Sequence, residues 1–112
     1  MLTTPSNAEH YLWGQNCDGW HLLKSDSLNI IYERMPPATQ EARHYHNKAQ
    51  QFFFVLEGEA TLELDGKEFV IRPREGVHVP AGKPHQMFNR GSADVFFLVI
   101  SQPPTHGDRV NL

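Results

Sequence analysis

A single cysteine, Cys17, stands among 112 residues, so no internal disulfide framework holds this chain together and a reducing compartment is expected. Its expected role is that of a small buried hydrophobe. An excess of positive charge is missing as well: 10 Lys and Arg face 13 Asp and Glu, for a formal net charge of −3. With no basic field to gather phosphates, neither nucleic acid nor an anionic membrane surface is expected as a partner. No apolar run comes near the roughly 20 residues that span a bilayer. Residues 1–17 have neither the basic start nor the apolar stretch of a secretory signal. A cytoplasmic, unprocessed protein is the expectation. Helical periodicity is the last absence, and it excludes bundles and α/β folds.

What is present is a series of short β-branched and aromatic runs separated by Gly, Pro, Asn and Asp. Strands are expected over Ser27–Met35, Gln51–Glu57, Ala60–Leu64, Glu68–Arg72, Val77–Pro80, Gln86–Asn89 and Val95–Ser101. Asp65-Gly66 is a type I′ hairpin signal. Apolar and polar residues alternate in Ala60-Thr61-Leu62-Glu63-Leu64, which gives that strand one buried and one wet face and places it in an antiparallel sheet. Pro36, Pro37, Pro73, Pro80 and Pro84 all fall at proposed strand ends, where a missing N–H harms no ladder. The fold class is therefore all-β, a sandwich or barrel in one domain over residues 1–112. Residues 27–101 form its core, 1–26 a segment that covers or exchanges onto the barrel, and 102–112 a loop-like tail.

Two runs break the alternation, because Phe52-Phe53-Phe54-Val55-Leu56 and Val95-Phe96-Phe97-Leu98-Val99-Ile100 are apolar on both faces. Their outer face needs a cover. Either a second copy of the chain supplies it, making a homodimer, or the N-terminal segment with Leu12, Trp13, Trp20, Leu22 and Leu23 folds back over it.

The chemistry lies in the histidines. His44 and His46 are two apart on a strand and project from one face, so they can grip one ion from one side. Gln51 lies five positions past His46, an odd offset, so a continuous strand would turn it to the opposite face. An interruption at Asn47-Lys48-Ala49 would bring Gln51, Phe53 and Val55 inward together. His85 would close the site from the facing sheet, carried by a turn containing Pro80, Gly82 and Pro84. Three imidazoles and one amide oxygen could form a four-ligand site with open positions.

With these residues the chain resembles the cupins, small jelly-roll β-barrels with two signature motifs. His44, His46, Gln51 and Gly58 match the first in spacing, and Pro80, Gly82, His85 and Asn89 match the second. The resemblance implies an antiparallel double-sheet barrel and puts the family's metal ligands on His44, His46, Gln51 and His85. Three positions depart from the pattern. Ala38 and Arg74 stand where the signatures open with glycine, and Gln51 replaces the usual glutamate, in which respect the chain resembles the uronate-linearising cupins. That exchange removes a negative charge from the ligand set. A divalent ion among neutral ligands keeps its full charge, which favours polarising a substrate oxygen over stabilising a higher oxidation state.

The cofactor expected is one divalent transition metal ion per chain, with Zn, Fe, Mn, Ni and Cu all compatible with imidazole. The expected function is a metal-dependent enzyme of isomerase or lyase type, acting on a small oxygenated molecule such as a sugar acid, enol or keto acid. A non-catalytic small-ligand or metal-binding module and a metal-dependent dioxygenase are the alternatives, since fold does not choose among them. Phe53, Val55, Met87 and Asn89 are the candidate lining of the substrate pocket. Arg34, Arg43 and Tyr45 could meet a carboxylate or hydroxyl, but Arg43 and Tyr45 have the parity opposite to the histidines. His10, His21 and His106 have no partner at ligand spacing and are expected in solvent, with His78 outward as well. No catalytic acid or base is assigned.

Overall fold

In the computed structural model, which describes all of residues 1–112, the chain forms twelve strands and no helix. In order they are β1 (Glu9–Trp13), β2 (Cys17–Lys24), β3 (Asn29–Met35), β4 (Thr39–Gln40), β5 (His44–His46) and β6 (Gln50–Glu57). There follow β7 (Ala60–Leu64), β8 (Lys67–Ile71), β9 (Gly76–Val79), β10 (His85–Asn89), β11 (Val95–Gln102) and β12 (Arg109–Asn111). Each strand expected from the sequence is present within two residues at either end. No helix is long and apolar enough to cross a membrane.

The strands make two antiparallel sheets facing each other. One runs β1-β2-β3-β11-β6-β9 and the other β12-β5-β10-β7-β8, with β4 also beside β10. Alternation decides what each face does. In β11, Val95, Phe97, Val99 and Ser101 are buried, while Phe96, Leu98 and Ile100 between them are only partly covered. In β6 the buried set is Gln51, Phe53 and Val55, and in β10 it is His85, Met87 and Asn89. Phe53, Val55, Leu62, Ile71, Met87, Val95 and Phe97 belong to one apolar core between the sheets. Cys17 is also fully buried there, as a packing residue.

The N-terminal segment supplies β1 and β2, which lengthen the first sheet at its β3 edge. It does not lie over the outer face of β6 and β11, where Phe52 remains 38% exposed. The tail, expected as loop, instead adds β12, pairing Arg109 with His46, Val110 with Tyr45 and Asn111 with His44. Three residues show no periodicity to read; the edge of β5 templates them.

Turns account for the departures from the signatures. Ala38 (φ 63°) and Arg74 (φ 69°) both adopt the left-handed conformation that the glycine of the motif would take freely. Each keeps its hydrogen bond, Ala38 N–H to the Asn89 carbonyl at 3.0 Å and Arg74 N–H to the Val55 carbonyl at 2.8 Å. The β7–β8 hairpin has the positive φ values of a type I′ turn at Asp65 (50°) and Gly66 (91°).

Candidate metal centre

His44 and His46 face the interior from β5 because the strand alternates, with Tyr45 between them half-buried. The strand ends there. The Asp108 carboxylate accepts the N–H groups of Asn47 (3.1 Å), Lys48 (3.0 Å) and Ala49 (2.9 Å), holding the chain in a bend before β6 begins. That bend is the interruption demanded by parity, and it transfers the chain from one sheet to the other. Gln51 thus enters from the facing sheet. His85 does not: it lies directly opposite His44 in the same sheet as β5. The expectation that His85 closes the site from across the sandwich is wrong, because strand pairing, which sequence spacing does not encode, puts β10 next to β5. The turn that delivers His85 is tied to the site, with Gly82 (φ 81°) donating its N–H to the His46 carbonyl at 2.7 Å.

One ligand atom from each of the three imidazoles lies within 4.8 Å of the others. The ring centroids are 4.4 Å apart for His44 and His85 and 5.0 Å for His44 and His46. His44 Nδ1 is 2.8 Å from the Ala42 carbonyl and His85 Nδ1 is 3.0 Å from the Lys83 carbonyl. A carbonyl only accepts, so each Nδ1 carries the proton and each Nε2 presents a lone pair. Gln51 is oriented the same way: Nε2 donates to Ser101 Oγ at 3.0 Å and leaves Oε1 free.

Five buried side-chain polar atoms in the chain lack a partner, and three of them are His46 Nδ1, His85 Nε2 and Gln51 Oε1. Buried polar atoms are nearly always satisfied. Unpartnered nitrogens on two rings of the three-histidine cluster, with Gln51 Oε1 on the cavity wall that His46 shares, fit a cation, and this donor set suits a divalent transition metal. Electrostatics agree. Burial lowers the basicity of all three imidazoles, pushing His44 down to about 3; the His85 and His46 rings add to the effect for His44, and the His85 ring for His46. The rings are therefore neutral at physiological pH, the form that coordinates.

Against this cluster opens a cavity of about 160 Å³ lined by His46, Gln51, Phe53, Met87, Phe97, Val99, Ser101, Thr105 and Arg109, together with Tyr11, Trp13, Ile31, Glu33 and Glu41. Among the expected lining residues, Phe53 and Met87 are on this wall; Val55 is packed in the core and Asn89 is tied to the Met35 and Ala93 carbonyls at 2.9 Å each. His44 and His85 are not part of this wall. Arg34 is on the outer side, pairing with Asp18 (2.6 Å) and Asp94 (3.0 Å), and Arg43 pairs with Glu63 (2.6 Å). His78 points outward to Gln50 Oε1 at 2.9 Å. His10 is bound to Asp18 at 2.7 Å and His21 packs on Tyr11, so neither is merely solvated.

The sequence reading missed two acidic residues. Glu41 accepts the Met87 N–H at 2.9 Å and lies 3.9 Å from His44 Nδ1; burial pushes it up to about 7. Glu33 is on β3 and lines the cavity with Ile31, a position set by packing, since both parities of that strand mix apolar and polar residues.

Comparison with known proteins agrees with the fold. Residues 31–101 match the cupin domain family, Cupin_2. The chain is 26% identical over 85 residues to the oxalate-binding protein of Thermotoga maritima, covering 71% of this chain and 70% of that protein. It is 32% identical over 99 residues to quercetin 2,3-dioxygenase of Bacillus subtilis, covering 76% of this chain but 29% of that enzyme. KdgF from a Halomonas species superposes with a TM-score of 0.87 at 13% identity, over 96% of this chain and 98% of that one.

Proposed function

Since the chain belongs to the cupin family, we propose that His44, His46, Gln51 and His85 hold one divalent transition metal ion and that the protein is an enzyme acting on a small oxygenated molecule. The observation that carries this is a set of buried polar atoms without partners: His46 Nδ1 and His85 Nε2 in the three-histidine cluster, and Gln51 Oε1 on the cavity wall that His46 shares. When bound there, a divalent ion supplies Lewis acidity toward a carbonyl or hydroxyl oxygen. The chain's own contribution is to orient the acceptors through Ala42, Lys83 and Ser101 and to keep the imidazoles neutral by burial. Phe53, Met87, Phe97 and Val99 exclude water from the occupant, and Arg109 at the mouth favours an anionic group such as a carboxylate. Sugar acids, enols and keto acids fit those walls.

Calorimetric titration of Zn, Mn, Ni, Cu and Fe(II) into metal-free protein tests the reading. One site per chain is expected, lost in His85→Ala; binding of equal affinity in that variant contradicts it. A non-catalytic binding module is the second reading, supported by similarity to the oxalate-binding protein. Saturable oxalate binding with no turnover of any oxygenated substrate would favour it. Similarity to the dioxygenase supports a third, and oxygen uptake by iron- or copper-loaded protein decides that one.

The same reading includes a homodimer. Tyr32, Phe54, Phe96 and Leu98 are half-buried and Phe52 is 38% exposed on the outer face of the first sheet, with Tyr32 and Phe96 stacked at 5.7 Å. Sedimentation should give twice the chain mass, and a monomer at high concentration would remove this part.

A further inference from the structure

Beyond the histidine cluster, the cavity wall holds a carboxyl that nothing in the fold employs. Glu33 lies on β3 with Gly19 opposite on one side and Phe97 on the other. Gly19 has no side chain because the Tyr11 ring occupies that space; a Cβ there would run into the phenol. Tyr11, Glu33, Trp13 and Phe97 thus share one stretch of the cavity wall. Other acidic groups around the interior have partners: Glu41 the Met87 N–H, Glu63 Arg43, and Asp108 the bend after β5. Glu33 has neither an ion pair nor a hydrogen bond, and only burial, Glu41 and Arg109 act on it.

Glu33 is half-buried against the cavity, and a carboxyl kept for structure there would be paired, because an unpaired charge partly shielded from water is costly. Burial, helped by the like charge of Glu41 and opposed by Arg109, pushes Glu33 up to about 8. Such a group changes protonation near neutral pH, as a general acid or base must. The cavity's 160 Å³ is close to the roughly 150 Å³ that accepts a benzene-sized molecule, so an occupant of about six to eight heavy atoms fits a space whose wall holds both Glu33 and the His46–Gln51 pair.

We propose that Glu33 is the proton-transfer residue of this cavity and that its substrate is a small α-hydroxy carbonyl compound whose oxygen lies at the His46 and Gln51 end. The assignment rests on the metal-dependent reading above. The Glu33 carboxylate takes a proton from the hydroxyl-bearing carbon beside the carbonyl. That C–H bond breaks, an O–H bond forms on the carboxyl, and the electron pair moves into a carbon–carbon double bond as the carbonyl becomes an enolate oxygen. Return of the proton to the neighbouring carbon, with the hydroxyl proton passing between the two oxygens, completes an isomerisation that needs no oxidant, reductant or co-reactant.

The test uses metal-loaded protein with dihydroxyacetone and hydroxypyruvate in D2O, followed by proton NMR. At least one probe should bind and lose its carbon-bound proton signal in the wild type. Glu33→Gln should slow the loss about 100-fold or more, with metal content and probe binding retained and no fall in melting temperature, and Glu33→Asp should keep part of the rate. Equal rates in wild type and Glu33→Gln overturn the assignment. Metal uptake and probe binding without exchange overturn it while leaving the metal reading intact; binding of neither probe overturns the substrate class; failure to take up metal overturns both readings. A readout free of metal is carbon NMR of glutamate-labelled apo protein. Glu33 faces Tyr11 from β1, Glu41 from the segment before β5, His46 from β5 and Arg109 from β12. One carboxyl should titrate near 8 and vanish in Glu33→Gln; a Glu33 midpoint in the ordinary glutamate range overturns the assignment.

Discussion

The interior of this sandwich has two regions made from the same strands and opposite in what they do. Toward the β7–β8 side, Val55, Ala60, Leu62, Ile71 and Val95 are at most 1% exposed and belong to the apolar core. Toward β5 and β12, the same inward positions carry His44, His46, Gln51, His85 and Ser101, also buried, with polar atoms of His46, Gln51 and His85 left unmatched. Alternation fixes which residues face inward; the chemistry of those residues decides whether the space closes as core or stays open as a site. One region contributes stability and the other forgoes some of it, since each unmatched buried polar group costs roughly 1–3 kcal/mol.

Substitutions can separate the two. Leu62→Ala in the closed region should cost about 3 kcal/mol of stability while leaving the metal affinity of the folded fraction unchanged, as read by denaturant melts and metal titration. His85→Ala should do the reverse. Loss of a supporting residue around a metal typically costs about 10–100-fold in affinity, so loss of the ligand itself should exceed 100-fold, with little change in the apo melting temperature. Equal effects of the two changes on both readouts would erase the distinction.

The pH dependence of apo stability sharpens it further. Glu33, with its folded value raised to about 8, favours the folded state most at low pH, and that advantage disappears as pH rises from the ordinary glutamate range through about 8. The histidines act oppositely: with His44 depressed to about 3, stability falls as pH drops below about 6.5. Glu33→Gln should therefore flatten the alkaline limb of a melting temperature against pH curve and leave the acid limb in place. A curve of unchanged shape would contradict the burial of Glu33. The smallest effect belongs to the turns. Ala38→Gly and Arg74→Gly should each stabilise by roughly 1 kcal/mol, a rise of a few degrees in melting temperature, because glycine takes their positive φ at no steric cost.

Much of this was legible in the sequence where the physics is local. The two-residue spacing of His44 and His46, the odd offset to Gln51 and the Asp65-Gly66 turn all follow from parity and dihedral preference along a few residues. What escaped depends on distant pairing. Asp108 makes the bend after β5 from some 60 residues away, β12 exists only against β5, and His85 is beside His44 because β10 pairs with β5. Glu33 was missed for a different reason. In Asn29-Ile30-Ile31-Tyr32-Glu33-Arg34-Met35 both parities contain apolar and polar residues, so the buried face was set by packing and not by pattern.

Elemental mass spectrometry of untagged protein purified without chelators addresses the central claim most directly. The arrangement of His44, His46, Gln51 and His85 predicts close to one equivalent of a single divalent transition metal per chain, absent from His85→Ala. Wild-type protein that contains none and cannot be loaded afterwards would contradict the account and leave a metal-free binding barrel in its place.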